Sequence, residues 1–219
     1  MKKKIAFVHN AMWEMYNFRG ELLQELKAKG YEITVICPPD EKNAHYFTDL
    51  GIKLLTVPMS RKGTNIKEDV QLVKNLFKVY KKEKFDLVFH YTIKPNIYGT
   101  LAAKLAGIKS IAITTGLGYV FLHNNITSLI AKFMYKFSLA FANEVWFLND
   151  DDMNIFLDKD LITERQAFKL PSEGINTKRF VPKEKSRKDN KTVFLMIARV
   201  LYDKGFNEYL EAAKLIKAQ

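Results

Sequence analysis

The chain is short of several things, and each shortage closes a class of explanation. Of its 219 residues a single one is cysteine, Cys37, which excludes an internal disulfide framework and fits a reducing compartment. No apolar run approaches the roughly 20 residues that a membrane-spanning helix needs. The amino terminus, Met1-Lys2-Lys3-Lys4, opens like the basic region of a secretory signal, but the apolar run behind it covers only 5–8 before His9 and Asn10 end it. That length suits a strand and not a signal peptide, and the expectation is a cytoplasmic protein that meets a membrane at most peripherally. No G-x-G-x-x-G follows this strand, where His9-Asn10-Ala11-Met12-Trp13 stands instead, and this argues against dinucleotide dehydrogenases and sugar-nucleotide epimerases. A G-x-x-x-x-G-K-[ST] loop is missing as well, which removes the commonest nucleotide hydrolases.

What is present describes a folded α/β protein. Hydrophobic residues make up 47% of the chain and charged ones 27%, enough apolar material for a core and too little charge excess for disorder. The net charge of +11 points toward anionic partners: nucleic acid, anionic lipid or phosphorylated small molecules. Short β-rich runs at 4–8, 32–36, 53–57, 87–90, 109–113, 144–148 and 167–170 alternate with helical patterns at 18–29, 43–50, 66–82, 96–106, 126–142 and 150–157. Gly30, Gly51 and Gly107 each follow a helical segment and precede a strand, the usual helix-terminating position. Such alternation predicts a Rossmann-like parallel sheet with helices on both faces.

The character changes at 176–191, where seven Lys or Arg face two acids with Pro182 among them, a linker composition. A further strand at 192–197 and an amphipathic helix from Phe206 then open a new α/β unit. One strand and one helix cannot bury a core alone, so the pair either joins the first sheet or opens a second domain. Between them stand Arg199 and Lys204. They are either ordinary surface cations or, at a strand-to-helix handover with free backbone N–H groups, the makings of a phosphate site.

Ligands of open parallel sheets lie beyond the carboxyl ends of the strands. Those rims hold His9, Asn10 and Arg19 after the first strand, His90 to Asn96 with Lys94 after the fourth, and Thr114 to Tyr119 with Gly116 and Gly118 after the fifth. Each rim alone reads as a connecting loop with turn residues, and His9 or His90 alone as a hydrogen-bonded histidine; three such rims in one sheet point to a cleft. Asp150-Asp151-Asp152 suggests a metal, yet acids at a helix start serve the free N–H groups and the dipole, and that structural reading is preferred. Leu129, Ile130, Phe133, Met134, Phe137 and Phe141 give the helix near 126–142 a broad apolar face, for which core packing is the expectation. The stretch 61–84 carries eight cations against three acids, a solvated face or one that rests on anionic lipid. A non-catalytic basic module binding anionic membrane or nucleic acid is the alternative to an enzyme, although no nucleic-acid-binding motif occurs.

Several segments together carry a resemblance. These are Asn17-Phe18-Arg19 with Leu22, Leu23 and Leu26; Cys37-Pro38-Pro39-Asp40; His90-Tyr91-Thr92-Ile93-Lys94-Pro95-Asn96-Ile97-Tyr98-Gly99 with the stretch 101–107; Thr115-Gly116-Leu117-Gly118-Tyr119; the stretches 145–152 and 172–182; and Ala198-Arg199 through Lys204-Gly205. In this order they resemble the retaining glycosyltransferases of the two-lobe GT-B architecture, family 4, and more narrowly bacterial members that extend lipid-linked oligosaccharides or surface-polysaccharide precursors.

The resemblance implies an acceptor-binding first lobe over 1–182, a basic linker at 183–191, and at 192–219 the start of a nucleotide-sugar-binding lobe, so that the chain is a partial one. It implies that Arg199 and Lys204 contact the donor diphosphate, and that Asn10, Arg19, His90, Lys94, Thr115, Gly116 and Gly118 line the acceptor cleft. It further implies a UDP-linked donor, no metal and no cofactor, no assigned catalytic residue, and action at the inner face of the cell membrane. Two departures stand out: the loop 11–16 has no glycine, and Thr115 holds a place where many members carry histidine.

Overall fold

The structure is a computed structural model and describes residues 2–60, 65–117, 121, 126–171, 173–182, 192–198, 200 and 202–217. Contacts divide the chain into Met1–Gly174 and Ile175–Gln219. The expected linker at 183–191 lies outside the described residues.

The first unit is built on seven parallel strands: β1 (Lys4–Val8), β2 (Glu32–Cys37), β3 (Lys53–Thr56), β4 (Leu87–Tyr91), β5 (Lys109–Thr114), β6 (Glu144–Phe147) and β7 (Ala167–Lys169). Their spatial order is β3-β2-β1-β4-β5-β6-β7. The chain therefore builds outward from β1 to β3 and returns to β4 on the other side of β1, which makes the β1/β4 boundary the topological switch point. There the connections depart in opposite directions and leave a crevice.

Side-chain alternation along the strands sorts the core onto two faces. Ile5 and Phe7 join Met12, Met15, Leu23, Val35 and Tyr91 on one side. Ala6 and Val8 join Leu72, Leu76, Tyr80 and Val88 on the other. This period of two is what a strand buried on both faces requires. Covering helices are α1 (Met12–Ala28), α2 (Glu41–Asp49), α3 (Ile66–Glu83), α4 (Thr100–Ala106), α5 (Ile126–Leu139) and α6 (Asp150–Asp158). A π-helical turn over Pro95–Gly99 leads directly into α4.

Two of the expected helices needed correction. Helix α1 starts at Met12 and not near Phe18, because Met12, Met15, Arg19 and Leu23 already form its buried stripe. The start signal was missing because Ala11, at the N-cap, offers no side-chain hydrogen bond. In α5 the apolar residues expected in the core instead face outward: Leu129, Ile130, Phe133 and Phe137 are all more than half exposed.

In the second unit the described helical elements are the 3₁₀ turn Tyr202–Lys204 and α7 (Phe206–Lys217). Residues 192–197, expected to be a strand, pair with no strand among the described residues. They are tied to α7 by the Tyr209 hydroxyl, which donates to the Phe194 carbonyl at 3.0 Å.

Candidate functional site at the strand switch point

At the end of β1 the His9 N–H still follows the sheet, donating to the Ile36 carbonyl at 3.1 Å. The His9 Nδ1 accepts the Ala11 N–H at 2.9 Å, so its proton sits on Nε2, which faces the Glu14 carboxylate at 3.8 Å. Asn10 follows, half-buried at the rim. Across the switch point, at the end of β4, Tyr91 lies with its ring 6.0 Å from that of His9.

Arg19 projects from α1 over the same place. Its guanidinium lies 4.8 Å from the centroid of the Tyr91 ring, donates to the Phe18 carbonyl at 3.1 Å, and ion-pairs with Glu173. Burial pushes the Tyr91 phenol up to about 12, with Arg19 opposing that rise in part. The crevice is thus floored by an un-ionised tyrosine and holds a nearly buried cation whose counter-ion sits on the segment leaving the unit.

Lys94 and Asp69 form a second polar cluster on the opposite face. Lys94 Nζ lies 2.7 Å from an Asp69 oxygen and 2.8 Å from the Ser60 hydroxyl. The Tyr98 hydroxyl donates to the other Asp69 oxygen at 2.8 Å. These groups border a cavity of about 370 Å³ between the segment after β3 and the first turns of α3. Both members of the pair are nearly buried, so Lys94 is neutralised where it stands.

His90 is not at the rim, contrary to expectation. It alternates with Tyr91 along β4 and therefore points to the face covered by α3 and α4, where it is fully buried. One ring nitrogen meets the Tyr80 hydroxyl at 2.9 Å and the other the Thr100 hydroxyl at 3.2 Å. Burial lowers it to about 3, so it is a neutral core imidazole.

The third rim is less complete. Thr115 and Gly116 are exposed, and Gly116 takes a φ of 140°, a backbone state that suits glycine. Gly118 lies outside the described residues, as does Arg199. Lys204 is exposed at the end of its 3₁₀ turn. The three acids at 150–152 open α6, with Asn149 accepting the Asp152 N–H at 2.7 Å and Asp150 paired to Lys169 at 2.8 Å. Among the described residues no group of three His, Cys, Asp or Glu side chains is arranged to hold a metal.

Sequence reasoning missed three features of this region. Tyr91 stands in a quoted motif but was given no role, although its place at the end of β4 signals a rim residue. Glu173 stands in the stretch 172–182 but was likewise given no role, since its pairing with Arg19 spans 154 residues of sequence. The third is a group of orphaned oxygens between β4 and β5. Thr92 takes a left-handed φ of 71°, and the side-chain oxygens of Thr92, Asn96 and Thr114 are buried without a hydrogen-bond partner among the described residues. Asn96 is held there by its N–H, which donates to the Thr92 carbonyl, and by its carboxamide, which donates to the Ile113 carbonyl at 3.0 Å. A strained threonine and unsatisfied oxygens at a sheet's carboxyl end are features that structures retain at binding sites.

The chain is similar to known proteins over most of its length. The glycosyl transferase 4-like family model matches residues 4–149. A curated relative, the N,N'-diacetylbacillosaminyl-diphospho-undecaprenol alpha-1,3-N-acetylgalactosaminyltransferase of Campylobacter jejuni, is 32% identical over 98% of this chain and 61% of its own length. The UDP-Gal:alpha-D-GlcNAc-diphosphoundecaprenol alpha-1,3-galactosyltransferase of Escherichia coli is 26% identical over 85% of this chain and 50% of its own. The chain thus spans between half and three-fifths of these relatives. Among solved structures, Anabaena HepE in complex with UDP and glucose superposes with a TM-score of 0.58 at 16% identity, covering 80% of this chain and 46% of that one. At such identity the likeness concerns the fold.

Proposed function

The chain belongs to the glycosyl transferase 4-like family, and from that premise we propose that it is the acceptor-side lobe, with the opening of the donor-side lobe, of a retaining glycosyltransferase. The enzyme moves a hexose or N-acetylhexosamine from a UDP-linked donor to a lipid-linked or polysaccharide-precursor acceptor. The observation that carries this reading is the match along 98% of the chain to an enzyme whose name specifies a diphospho-undecaprenol-linked acceptor. The Escherichia coli relative is named for the same class of acceptor and for a UDP-linked donor.

On this reading the crevice at the β1/β4 switch point receives the acceptor. Asn10, Arg19, Thr115 and Gly116 line it, whereas the side chains of His90 and Lys94 are engaged on the sheet's other face. Transfer breaks the bond between the anomeric carbon and the diphosphate oxygen, and the electron pair leaves with the nucleotide. The acceptor hydroxyl forms the new bond on the face the leaving group vacates, and its proton passes to the departing diphosphate. Arg199 and Lys204 serve that departure. Charge grows on the diphosphate as the bond lengthens, and fixed cations stabilise the transition state more than the ground state. Each charge-assisted contact contributes roughly 1.5–3 kcal/mol. No helix among the described residues is long and apolar enough to cross a membrane, and a peripheral place on the cytoplasmic face suits an enzyme whose acceptor is anchored there.

The test uses a protein carrying this chain together with a complete second lobe. It should transfer radiolabelled sugar from a UDP-linked donor to a diphospho-polyprenol-linked acceptor. Arg199→Ala should lower transfer far more than acceptor binding. Absence of nucleotide-sugar binding by calorimetry would overturn the reading, and equal loss of transfer and acceptor binding would remove the diphosphate role.

A further inference from the structure

Helix α5 is built the wrong way round for a helix that only covers a sheet. Its inner side is lined by Tyr135, Ser138 and Leu139, all buried. Its outer side carries Ile126, Leu129, Ile130, Phe133 and Phe137, between 52% and 76% exposed, and Phe141 just beyond its end continues the stripe. Positions 126, 129, 130, 133 and 137 follow the 3.6-residue period, so they form one continuous ridge along the outward face. Isolated exposed apolar residues are ordinary on protein surfaces, but a contiguous ridge of five with aromatics marks a surface built for an apolar neighbour.

Charge identifies that neighbour. From 117 to 143 the sequence has no aspartate or glutamate, while Lys132 and Lys136 lie one helical turn apart beside the ridge. Lys104 of α4 adds a third cation, its Nζ 5.4 Å from the Phe141 ring. A second copy of this chain seated ridge to ridge would bring two sets of lysines together with no acid on either helix to offset them. Anionic lipid headgroups supply the missing negative charge, and the acyl region beneath them accepts the phenylalanines and leucine. Lysines flanking a ridge of Phe, Leu and Ile is the pattern of a helix lying in the plane of a bilayer surface.

We propose that the outward face of α5 is a membrane-docking surface that lies in the headgroup region of an anionic bilayer, with Leu129, Ile130, Phe133 and Phe137 entering the acyl boundary and Lys104, Lys132 and Lys136 meeting lipid phosphates. The proposal deepens the acceptor assignment above, on which its biological sense rests. Helix α5 follows the segment after β5, so its first turn leads away from the rim at Thr115 and Gly116, and a docked ridge brings a lipid-anchored acceptor to that end of the sheet.

The test is binding of the chain to vesicles of phosphatidylglycerol and phosphatidylcholine that contain no glycolipid, so that it reads docking independently of sugar transfer. Wild type should sediment with anionic vesicles and release at high salt, and should bind pure phosphatidylcholine at least about tenfold more weakly, about 1.4 kcal/mol. Leu129→Ser/Phe133→Ser should lose at least about tenfold in vesicle affinity while keeping the wild-type melting temperature, because both side chains are exposed. Phe133→Trp should report a blue-shifted emission that lipids brominated near the headgroup quench. Retained binding by the double variant, or an unshifted tryptophan, overturns the proposal. So does a concentration-dependent dimer, seen by analytical ultracentrifugation, that the double variant abolishes while vesicle binding stays absent. Loss of vesicle binding on replacing the lysines of α3, with no effect of the α5 changes, would move the surface to α3 and overturn it equally. If docking holds and transfer fails in the two-lobe protein, the acceptor assignment falls and this surface stands.

Discussion

Arg19 and Glu173 meet at the crevice from opposite ends of the first unit's sequence, the guanidinium over the Tyr91 ring and the carboxylate on the residue directly before Gly174. The two partners differ in exposure: the Arg19 side chain is 8% exposed and that of Glu173 28%. Removing one partner therefore has unequal consequences. A Glu173 left alone can hydrate, whereas an Arg19 left alone keeps a charge in a nearly closed site. Arg19→Met, which preserves the stem packed against Tyr91, should cost less than about 1 kcal/mol by chemical denaturation. Glu173→Ala should cost about 1–3 kcal/mol, the range for stranding a buried polar group. The reverse order of costs would show that Arg19 is not confined as described.

Lys94 and Asp69 call for a different experiment, because both are only 10% exposed. Lys94→Met strands the Asp69 carboxylate with the Tyr98 hydroxyl as its remaining donor. Breaking a buried pair in this way costs about 3–5 kcal/mol, and partial hydration through the adjoining cavity places the expectation near the lower end. The double variant Lys94→Met/Asp69→Asn should recover most of the loss at neutral pH. A Lys94→Met protein with wild-type stability would return Lys94 to the role of a free ligand-binding cation.

The alternation of strands and helices was legible because each strand is a short apolar run and most helices end in glycine or begin with a capping side chain, as Asp40, Asn65 and Asn149 do. The start of α1 was not, since it has no such cap. Rims could be located from the sequence, because strand ends coincide with polar residues. What each polar residue does there depends on which sheet face it joins, and one residue of register separates His90 in the core from Tyr91 in the crevice. The outward ridge of α5 was hidden for a related reason. Its sequence is apolar on both sides, and hydrophobic periodicity cannot say which side meets the sheet. Pairings such as Arg19 with Glu173 depend on tertiary geometry alone.

Gly99 is a glycine for reasons of space and not of backbone. A Cβ placed there would lie 2.6 Å from His90 Cδ2 and 2.7 Å from its Nε2, inside any normal contact, and the buried ring cannot retreat while it bonds Tyr80 and Thr100. Gly99→Ala should therefore destabilise by about 1–3 kcal/mol, the cost of overpacking a core, despite the general advantage of alanine in helical segments. Shortening the opposing side chain relieves the contact. In a double-mutant cycle with His90→Ala, the Gly99→Ala penalty should fall by at least about 1 kcal/mol. Additive costs would mean that the two residues do not share this space.

His90 also sets a pH dependence whose direction follows from its burial. Its folded pKa of about 3 lies below the usual 6.5, so the unfolded chain binds the proton that the folded chain refuses. Stability then rises with pH wherever the unfolded state holds more protons. The contribution is fully present above about 6.5, is lost progressively as pH falls toward about 3, and is flat below that. Between pH 7 and pH 5 the loss from this one group should be roughly 2 kcal/mol. His90→Asn removes the titrating ring. It should be less stable than wild type at neutral pH, through the lost contacts to Tyr80 and Thr100, yet its stability should change less between pH 7 and pH 5. Urea unfolding at the two pH values for both proteins measures the difference of slopes directly. Equal slopes would mean that His90 stays accessible to protons in the native state, and that the seal formed by α3, α4 and the Gly99 contact is open.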